Sequence, residues 1–161
     1  MTPFTYYYVG KPFTDESGAS VLSQFSFVSK STLLAASLRS IQDIFETARL
    51  TLSTGSDTWQ ICFVISDARI DSDNRRSLNN IMRDLAEKHI LVVLVIMDCT
   101  DDAENSIFVT KVVEFTPTGI STYNYLENFP FPYYVVIQRM EMLPDVLSGA
   151  LKQWFEMVQR N

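Results

Sequence analysis

An unbroken apolar run, ILVVLVIM at residues 90–97, constrains the fold more than any other feature of the sequence. Eight apolar residues, many of them β-branched and with no polar residue between them, are typical of a strand that is covered on both faces. A largely apolar run from Trp59 to Ile65 precedes it, and YYVVI at 133–137 follows it. Such runs belong to parallel sheets, so they predict an α/β fold.

Helical periodicity separates these strands. Apolar residues recur at intervals of three and four from Thr32 to Leu52, again over residues 73–88, and finally over residues 143–159. Either Ser29 or Ser31 is placed to cap the first of these helices. The alternation of strands and helices predicts a doubly wound, mainly parallel sheet with helices on both faces.

The remaining segments carry weaker patterns. KPFTDESG resembles a loop, residues 21–28 favour a strand or a turn leading into one, and residues 111–115 favour a short strand. Residues 121–128 favour a small helical or turn segment. We therefore expect a poorly assigned N-terminal segment over residues 1–20 and a single domain over residues 21–161.

Composition narrows the functional classes. The chain has 161 residues, enough for one domain, and its net charge of -6 argues against an electrostatic grip on nucleic acid or on an anionic membrane. Cys62 and Cys99 are isolated and lie in or just after strand-like runs, so we interpret them as reduced core residues. The sequence also lacks an apolar stretch of membrane-spanning length and an N-terminal secretory pattern, which favours an intracellular protein.

Several kinds of catalytic or nucleotide site are disfavoured. None of the five glycines follows a strand in the way that a phosphate-binding turn requires. The single histidine, His89, lies at the end of a predicted helix, where a favourable interaction with the helix dipole explains it better than base catalysis does. Paired carboxylates stay formally open for acid–base chemistry, but their spacing does not select it.

The carboxyl ends of the predicted strands carry the polar residues that matter most. Ser66-Asp67 and Asp98 each follow a buried strand, and Ser31-Thr32 begin a helix whose N-terminus is expected near the same rim. Hydroxyls and carboxylates suit a hard cation such as Mg²⁺. The alternative is that Asp67 caps the next helix or closes a turn. Asp71 and Asp73 are best explained as caps and first-turn charges of the helix at 73–88.

Four stretches together resemble a known family over residues 12–160. FVISDAR is similar to a strand that ends in S-D-G-R, with Ala68 in place of the usual glycine. NFPFPYYVVI and LPDVLSGALKQWFEMV resemble two further segments, and PFTDESGASVLSQFSF resembles the segment that precedes a threonine loop. The resemblance is to the carboxyl-terminal MIDAS domain, of the von Willebrand factor A type, in the midasin family of AAA+ ATPases.

This resemblance implies a metal-dependent protein-binding module in place of an enzyme, since no ATPase motif is present. It implies Thr32 and Asp67 as Mg²⁺ ligands, with Ser31, Ser66 and Arg69 as partner-binding residues. The implied partners are a ubiquitin-like domain of a WD-repeat ribosome-assembly factor, the remainder of a midasin chain and, indirectly, the pre-60S particle. Maturation of that particle places the protein in the nucleus, with no direct nucleic-acid or membrane contact.

The sequence also departs from the family pattern. D-x-S-x-S, which supplies further ligands from a central strand, is absent, and Asp15-Glu-Ser and Asp71-Ser-Asp do not replace it. We therefore expect an A-type sheet that is incomplete at its N-terminal part, with exposed strand edges and weakened metal affinity. The alternatives are a degenerate A-like fragment that binds partners without metal or has no autonomous function, and a small independent enzyme.

Overall fold

The computed structural model describes residues 12, 14–23, 34–51, 58–70, 72–98 and 103–160. The chain divides into two units, Met1–Thr58 and Trp59–Asn161. The boundary falls just before the first predicted strand. The division of the chain into residues 1–20 and 21–161 stays a prediction.

The described part of the first unit contains two helices, α1 (Asp15–Ser23) and α2 (Leu34–Thr51). Helix α2 confirms the helix that was predicted from apolar spacing. The loop expected at KPFTDESG is wrong for residues 15–18, and the strand or turn expected from Val21 is wrong for residues 21–23, because these residues are helical. The reason is local, because Thr14 and Ser17 cap α1 reciprocally: each backbone N–H donates to the other residue's hydroxyl. Residues 24–28 lie outside the described ranges.

The second unit contains the parallel sheet. Its principal elements are β1 (Gln60–Ser66), α3 (Ser72–Glu87), β2 (Ile90–Met97), β5 (Tyr134–Ile137) and α4 (Leu143–Arg160). Strand β2 lies between β1 and β5, and both pairs are parallel. The predicted mixed α/β fold with a mainly parallel sheet is confirmed.

The core of this unit is centred on β2. Val92, Leu94, Val95 and Ile96 are almost completely buried, as expected for a strand covered on both faces. Other fully buried side chains come from α3, from the segment before β5 and from β5 itself: Leu78, Leu85, Phe131 and Ile137. Strand β1 is less well covered. In the described residues it pairs with β2 alone, and its Ile65 is half exposed.

A β-hairpin follows β2 in the sequence. It consists of β3 (Lys111–Thr116) and β4 (Gly119–Asn124), which pair in antiparallel fashion. The short strand expected at 111–115 is confirmed, whereas the helical or turn segment expected at 121–128 is wrong up to Asn124 and correct only for the turn that follows. Residues 121–124 extend because they pair across a tight turn, where Gly119 adopts a φ of 140°.

His89 has a structural role at the end of α3. It adopts a φ of 57°, and its backbone N–H donates to the Ala86 carbonyl at 3.0 Å, which closes the helix. Its ring stacks on Trp59 with centroids 4.6 Å apart. This placement agrees with the expectation of a helix-terminal histidine.

Cys62 is free, in agreement with the predicted reduced cysteine, but it is only partly covered and is not one of the buried core residues. Cys99 lies outside the described residues. Burial raises the pKa of the Cys62 thiol to about 11. Alkylation of Cys62 near pH 8.5 should therefore be about a hundredfold slower than that of an exposed thiol, because only the thiolate reacts. Peptide mass spectrometry after timed iodoacetamide treatment measures this rate.

The raised pKa of Cys62 also determines how the free energy of unfolding changes with pH. The folded state keeps the thiol proton between about pH 9, the ordinary thiol value, and about pH 11, whereas the unfolded state loses it. This difference in the pKa of Cys62 stabilises the folded state fully below the window, and the stabilisation is lost as the pH rises through it. Rapid alkylation at pH 8.5 in the folded protein would contradict the burial of Cys62.

None of the helices in the described ranges is long and apolar enough to cross a membrane.

Candidate functional site

The loop after β1, residues 67–70, begins with the aspartate that the sequence singled out. Ser66 ends β1 opposite Ile96, the penultimate residue of β2, so Asp67 lies at the carboxyl ends of two parallel strands. Its side chain is exposed. Ligand sites of open α/β sheets form at this edge, which makes the placement of Asp67 suitable for binding.

Short-range hydrogen bonds fix the shape of this loop. The Ser66 hydroxyl donates to Asp67 Oδ1 at 3.4 Å and accepts from the Ala68 N–H at 3.1 Å. Asp67 Oδ1 also accepts from the Arg69 N–H at 3.2 Å. Among the described residues, none donates to the other carboxylate oxygen, Oδ2. Within the described ranges, the loop therefore presents one carboxylate oxygen that has no hydrogen-bond donor and can contact a ligand.

Ala68 lies in a conformation that favours glycine. Its φ is 58°, and its side chain is completely buried. A non-glycine residue in this region carries strain, which persists when the surrounding contacts enforce it. The S-D-G-R motif that this stretch resembles has glycine at the position of Ala68, and the strain at Ala68 agrees with that difference.

Tyr125, in the turn after β4, supplies those enforcing contacts. Its hydroxyl donates to the Ala68 carbonyl at 2.7 Å and accepts from the Ile70 N–H. Arg75 holds the tyrosine in turn, with its guanidinium 4.4 Å from the ring centroid and Nη2 donating to the Tyr125 carbonyl at 3.1 Å. The buried Tyr125 thereby joins the hairpin to the loop at 67–70.

Arg69 adds a second connection. Its guanidinium donates from Nη2 to the Asn105 carbonyl at 3.1 Å. Asn105 is the last residue of the short 3-10 turn Ala103–Asn105. Arg69 is exposed and follows Asp67 by two residues. The structure thus brings Ser66, Asp67 and Arg69 together in one exposed loop.

Asp98, the other aspartate at a strand end, is a structural residue. It is buried and accepts hydrogen bonds from the Ser106 hydroxyl at 2.6 Å and from the Ile107 N–H at 3.1 Å. These bonds hold the turn that follows β2. Both carboxylate oxygens are used, so Asp98 is poorly suited to bind an external ligand.

The relatives found by comparison with known proteins agree with the midasin-like motifs of the sequence. No protein-family model matches the chain. It is 27% identical to midasin of Dictyostelium discoideum over 147 residues, which is 91% of this chain and 2% of that protein. It is 28% identical to midasin of Giardia intestinalis over 152 residues, again 91% of this chain and 3% of that protein.

The chain is related to midasin. The predicted likeness is confirmed over nine-tenths of the sequence and supports a midasin-related role. The chain spans only 2–3% of the length of these two midasins. The similarity therefore concerns only a small portion of each of these two midasins.

The described residues supply an incomplete set of donors for the implied Mg²⁺. Within the described ranges, no group of three or more His, Cys, Asp or Glu side chains converges on one point. Thr32 and Ser31, which midasin motifs implicate, lie outside those ranges. Asp67 Oδ2 and the Ser66 hydroxyl fit a hard cation in kind, because Mg²⁺ is often held by one or two carboxylates and several waters. Two such oxygen donors are enough only for a site that binds Mg²⁺ weakly.

Sequence reasoning missed the residues that hold the loop. Tyr125 and Arg75 carry no motif and no periodic pattern, and the midasin-like stretches quoted above do not include them. The tyrosine-rich string STYNYLE was the only available signal. Its significance depends on a contact between residues that are 57 positions apart.

Proposed function

We propose that this chain is a midasin-type protein-interaction module. In this proposal it binds a ubiquitin-like domain of a WD-repeat ribosome-assembly factor, in the nucleus, during maturation of the pre-60S particle. The remainder of a midasin chain would be its second partner. It would act by binding and not by catalysis.

One observation carries the proposal: an exposed aspartate with a free carboxylate oxygen lies at the carboxyl end of the parallel sheet, in a chain that is similar to midasin. The Asp67 loop is held in shape by Tyr125 and Asn105, so little ordering is required when a partner binds. Arg69 lies in the same loop and offers N–H donors to an acidic partner.

Asp67 would hold Mg²⁺ in this module, and Ser66 and Arg69 would contact the partner. When bound, the ion supplies an open coordination position that a partner carboxylate can occupy. The role of the chain is to engage Asp67 Oδ1 in the hydrogen bonds of the loop, which leaves Oδ2 for the ion, and to carry Arg69 in the same loop.

The test is a calorimetric titration with such a ubiquitin-like domain in Mg²⁺ and then in EDTA. We expect Asp67→Asn to weaken binding in Mg²⁺ by about tenfold or more, because the charged metal ligand is lost. Asp84→Asn, which removes the same charge from an exposed position on α3, is the matched control and should bind normally. Unchanged affinity in Asp67→Asn would rule out the metal role.

A metal-independent interaction is the second candidate function. The loop at 67–70 is closed by its own hydrogen bonds and by Tyr125, contacts that require no ion. Binding that is equal in Mg²⁺ and in EDTA, and that is lost on replacing Arg69 with alanine, would favour this candidate.

A further inference from the structure

Strand β1 has one paired edge and one open edge. Its backbone pairs with β2 in parallel over the whole length from Gln60 to Ser66, and no residue interrupts the register. No strand within the described ranges pairs with its other edge. The backbone groups on an open edge can form hydrogen bonds with an incoming strand, so such an edge is a docking surface for extended backbone.

The direction of the β1 backbone identifies the groups on this open edge. The Gln60 N–H donates to the His89 carbonyl at 3.0 Å, so the backbone of Gln60 faces β2. The N–H and C=O groups of successive residues in a strand point to opposite sides, so every second residue after Gln60 faces β2 as well. The backbone groups of Ile61, Phe63 and Ile65 therefore face the open edge.

This edge lacks the features by which strands usually avoid pairing with other chains. Charged residues, proline and bulges are the common ones. The stretch WQICFVIS at 59–66 contains no charged residue and no proline, and β1 has no bulge in its register with β2. Ile65 has 52% of its surface exposed, and Ile61 and Phe63 are partly exposed, so solvent reaches this edge.

The open edge is complementary to itself. Phe63 is the central residue of Gln60–Ser66 and faces outward. A two-fold axis beside Phe63 therefore sets the whole of β1 against β1 of a second copy, in antiparallel orientation and in the register that joins outward-facing groups. Phe63 of one copy then lies opposite Phe63 of the other, and Ile61 lies opposite Ile65.

Both the strand length and the side chains suit this pairing. In a strand with an even number of residues, full overlap would place outward-facing backbone groups opposite inward-facing ones. In the self-pairing of β1, apolar residues lie opposite apolar residues, and the polar ends, Gln60 and Ser66, lie opposite each other. No like charges meet across the pair, which removes the usual obstacle to identical strands.

We propose that two copies of this chain associate through the open edges of β1, which join their parallel sheets into one continuous sheet across a two-fold axis. The backbone groups of Ile61, Phe63 and Ile65 hold the copies together, and the apolar cross-strand pairs add affinity. One pair of strands is smaller than a standard protein interface, so the dimer is weak, with a dissociation constant of about 1–100 μM. The association does not depend on the metal proposed for Asp67.

Sedimentation velocity of the full chain, over a concentration range of about 1–300 μM, measures this association. We expect monomers at the low end and dimers at the high end. Ile65→Lys should weaken the dimer about tenfold or more, because it places a hydrated charge opposite an apolar residue. Val113→Lys is the matched control, since Val113 is 54% exposed on β3, and it should leave the dimer unchanged. Circular dichroism verifies that both variants are folded.

A disulfide tests the register. In the proposed pair Cys62 lies opposite Val64 of the second copy, at a position without mutual hydrogen bonds, where Cα atoms are about 4.5 Å apart. This distance suits a disulfide. Val64→Cys in a Cys99→Ser background should therefore give a covalent dimer on mild oxidation, read by non-reducing gel electrophoresis. The control adds Cys62→Ser and should stay largely monomeric on the gel, because identical positions 64 do not lie opposite each other.

Hydrogen exchange separates a second copy from other occupants of the edge. The Phe63 amide should exchange freely at low concentration and become protected as the dimer forms. Monomers at every concentration would overturn the proposal, as would open-ended assemblies, since two-fold pairing closes at two copies. A Phe63 amide that is protected in the monomer would show that another part of the chain occupies the edge. A dimer that Ile65→Lys leaves unchanged, or that gives no disulfide through Val64→Cys, would overturn the role of β1.

Discussion

Replacing Leu94 with alanine is expected to lower the free energy of unfolding by about 2–5 kcal/mol. Leu94 is fully buried in β2 and lies in register with Val64 of β1 and Tyr134 of β5. Truncation removes apolar contacts and leaves a void that both neighbouring strands line. The close packing of a central strand leaves little room for the surroundings to collapse into that void.

Urea denaturation followed by circular dichroism measures the effect of Leu94→Ala. Ile120→Ala is the control, because Ile120 lies on β4 of the same unit with 69% of its surface exposed. That change should cost less than about 1 kcal/mol. Equal destabilisation by the two variants would contradict the central, doubly covered position of β2.

The second large effect is expected for Tyr125→Phe, which should lower the free energy of unfolding by about 1–3 kcal/mol. The ring, and with it the Arg75 guanidinium contact, is retained. Only the hydroxyl is lost, which leaves the Ala68 carbonyl and the Ile70 N–H without their partner. The strained φ of Ala68 then loses a contact that enforces it.

Hydrogen exchange provides a local measurement of the same change. The Ile70 amide should exchange faster in Tyr125→Phe, whereas amides in the centre of β2 should change only as far as global stability does. Tyr133→Phe is the matched control, since Tyr133 is 48% exposed and should show neither effect. Unaltered protection of Ile70 in Tyr125→Phe would show that the hydroxyl does not hold the loop.

The sequence predicted the elements whose pattern is local. ILVVLVIM became β2 with unchanged bounds, because a run of eight apolar residues is stable only where both faces are covered. The apolar stripe from Thr32 to Leu52 became α2 for the same kind of reason. Helix α1 was missed because its apolar stripe is weak, although the Thr14 and Ser17 caps were visible in the sequence.

The candidate site was predictable only in part. Ser66 ends an apolar strand and Asp67 follows it, and this position alone places them at the rim of the sheet. Strand β4 was missed because its residues are exposed and polar, and their extended conformation depends on pairing with β3. Tyr125 follows that strand, so its contact with the Asp67 loop depends on tertiary structure that no local pattern encodes.

The hairpin lies between β2 and β5 in the sequence but outside the sheet that those strands form. Pairing of Leu94 with Tyr134 therefore closes a loop that contains the whole of β3 and β4. Lengthening such a loop is inexpensive, since each doubling costs only about 0.6 kcal/mol of closure entropy. The exposed tip at Pro117 and Thr118 is thus the position at which this unit can gain new sequence over evolution without disturbing its sheet.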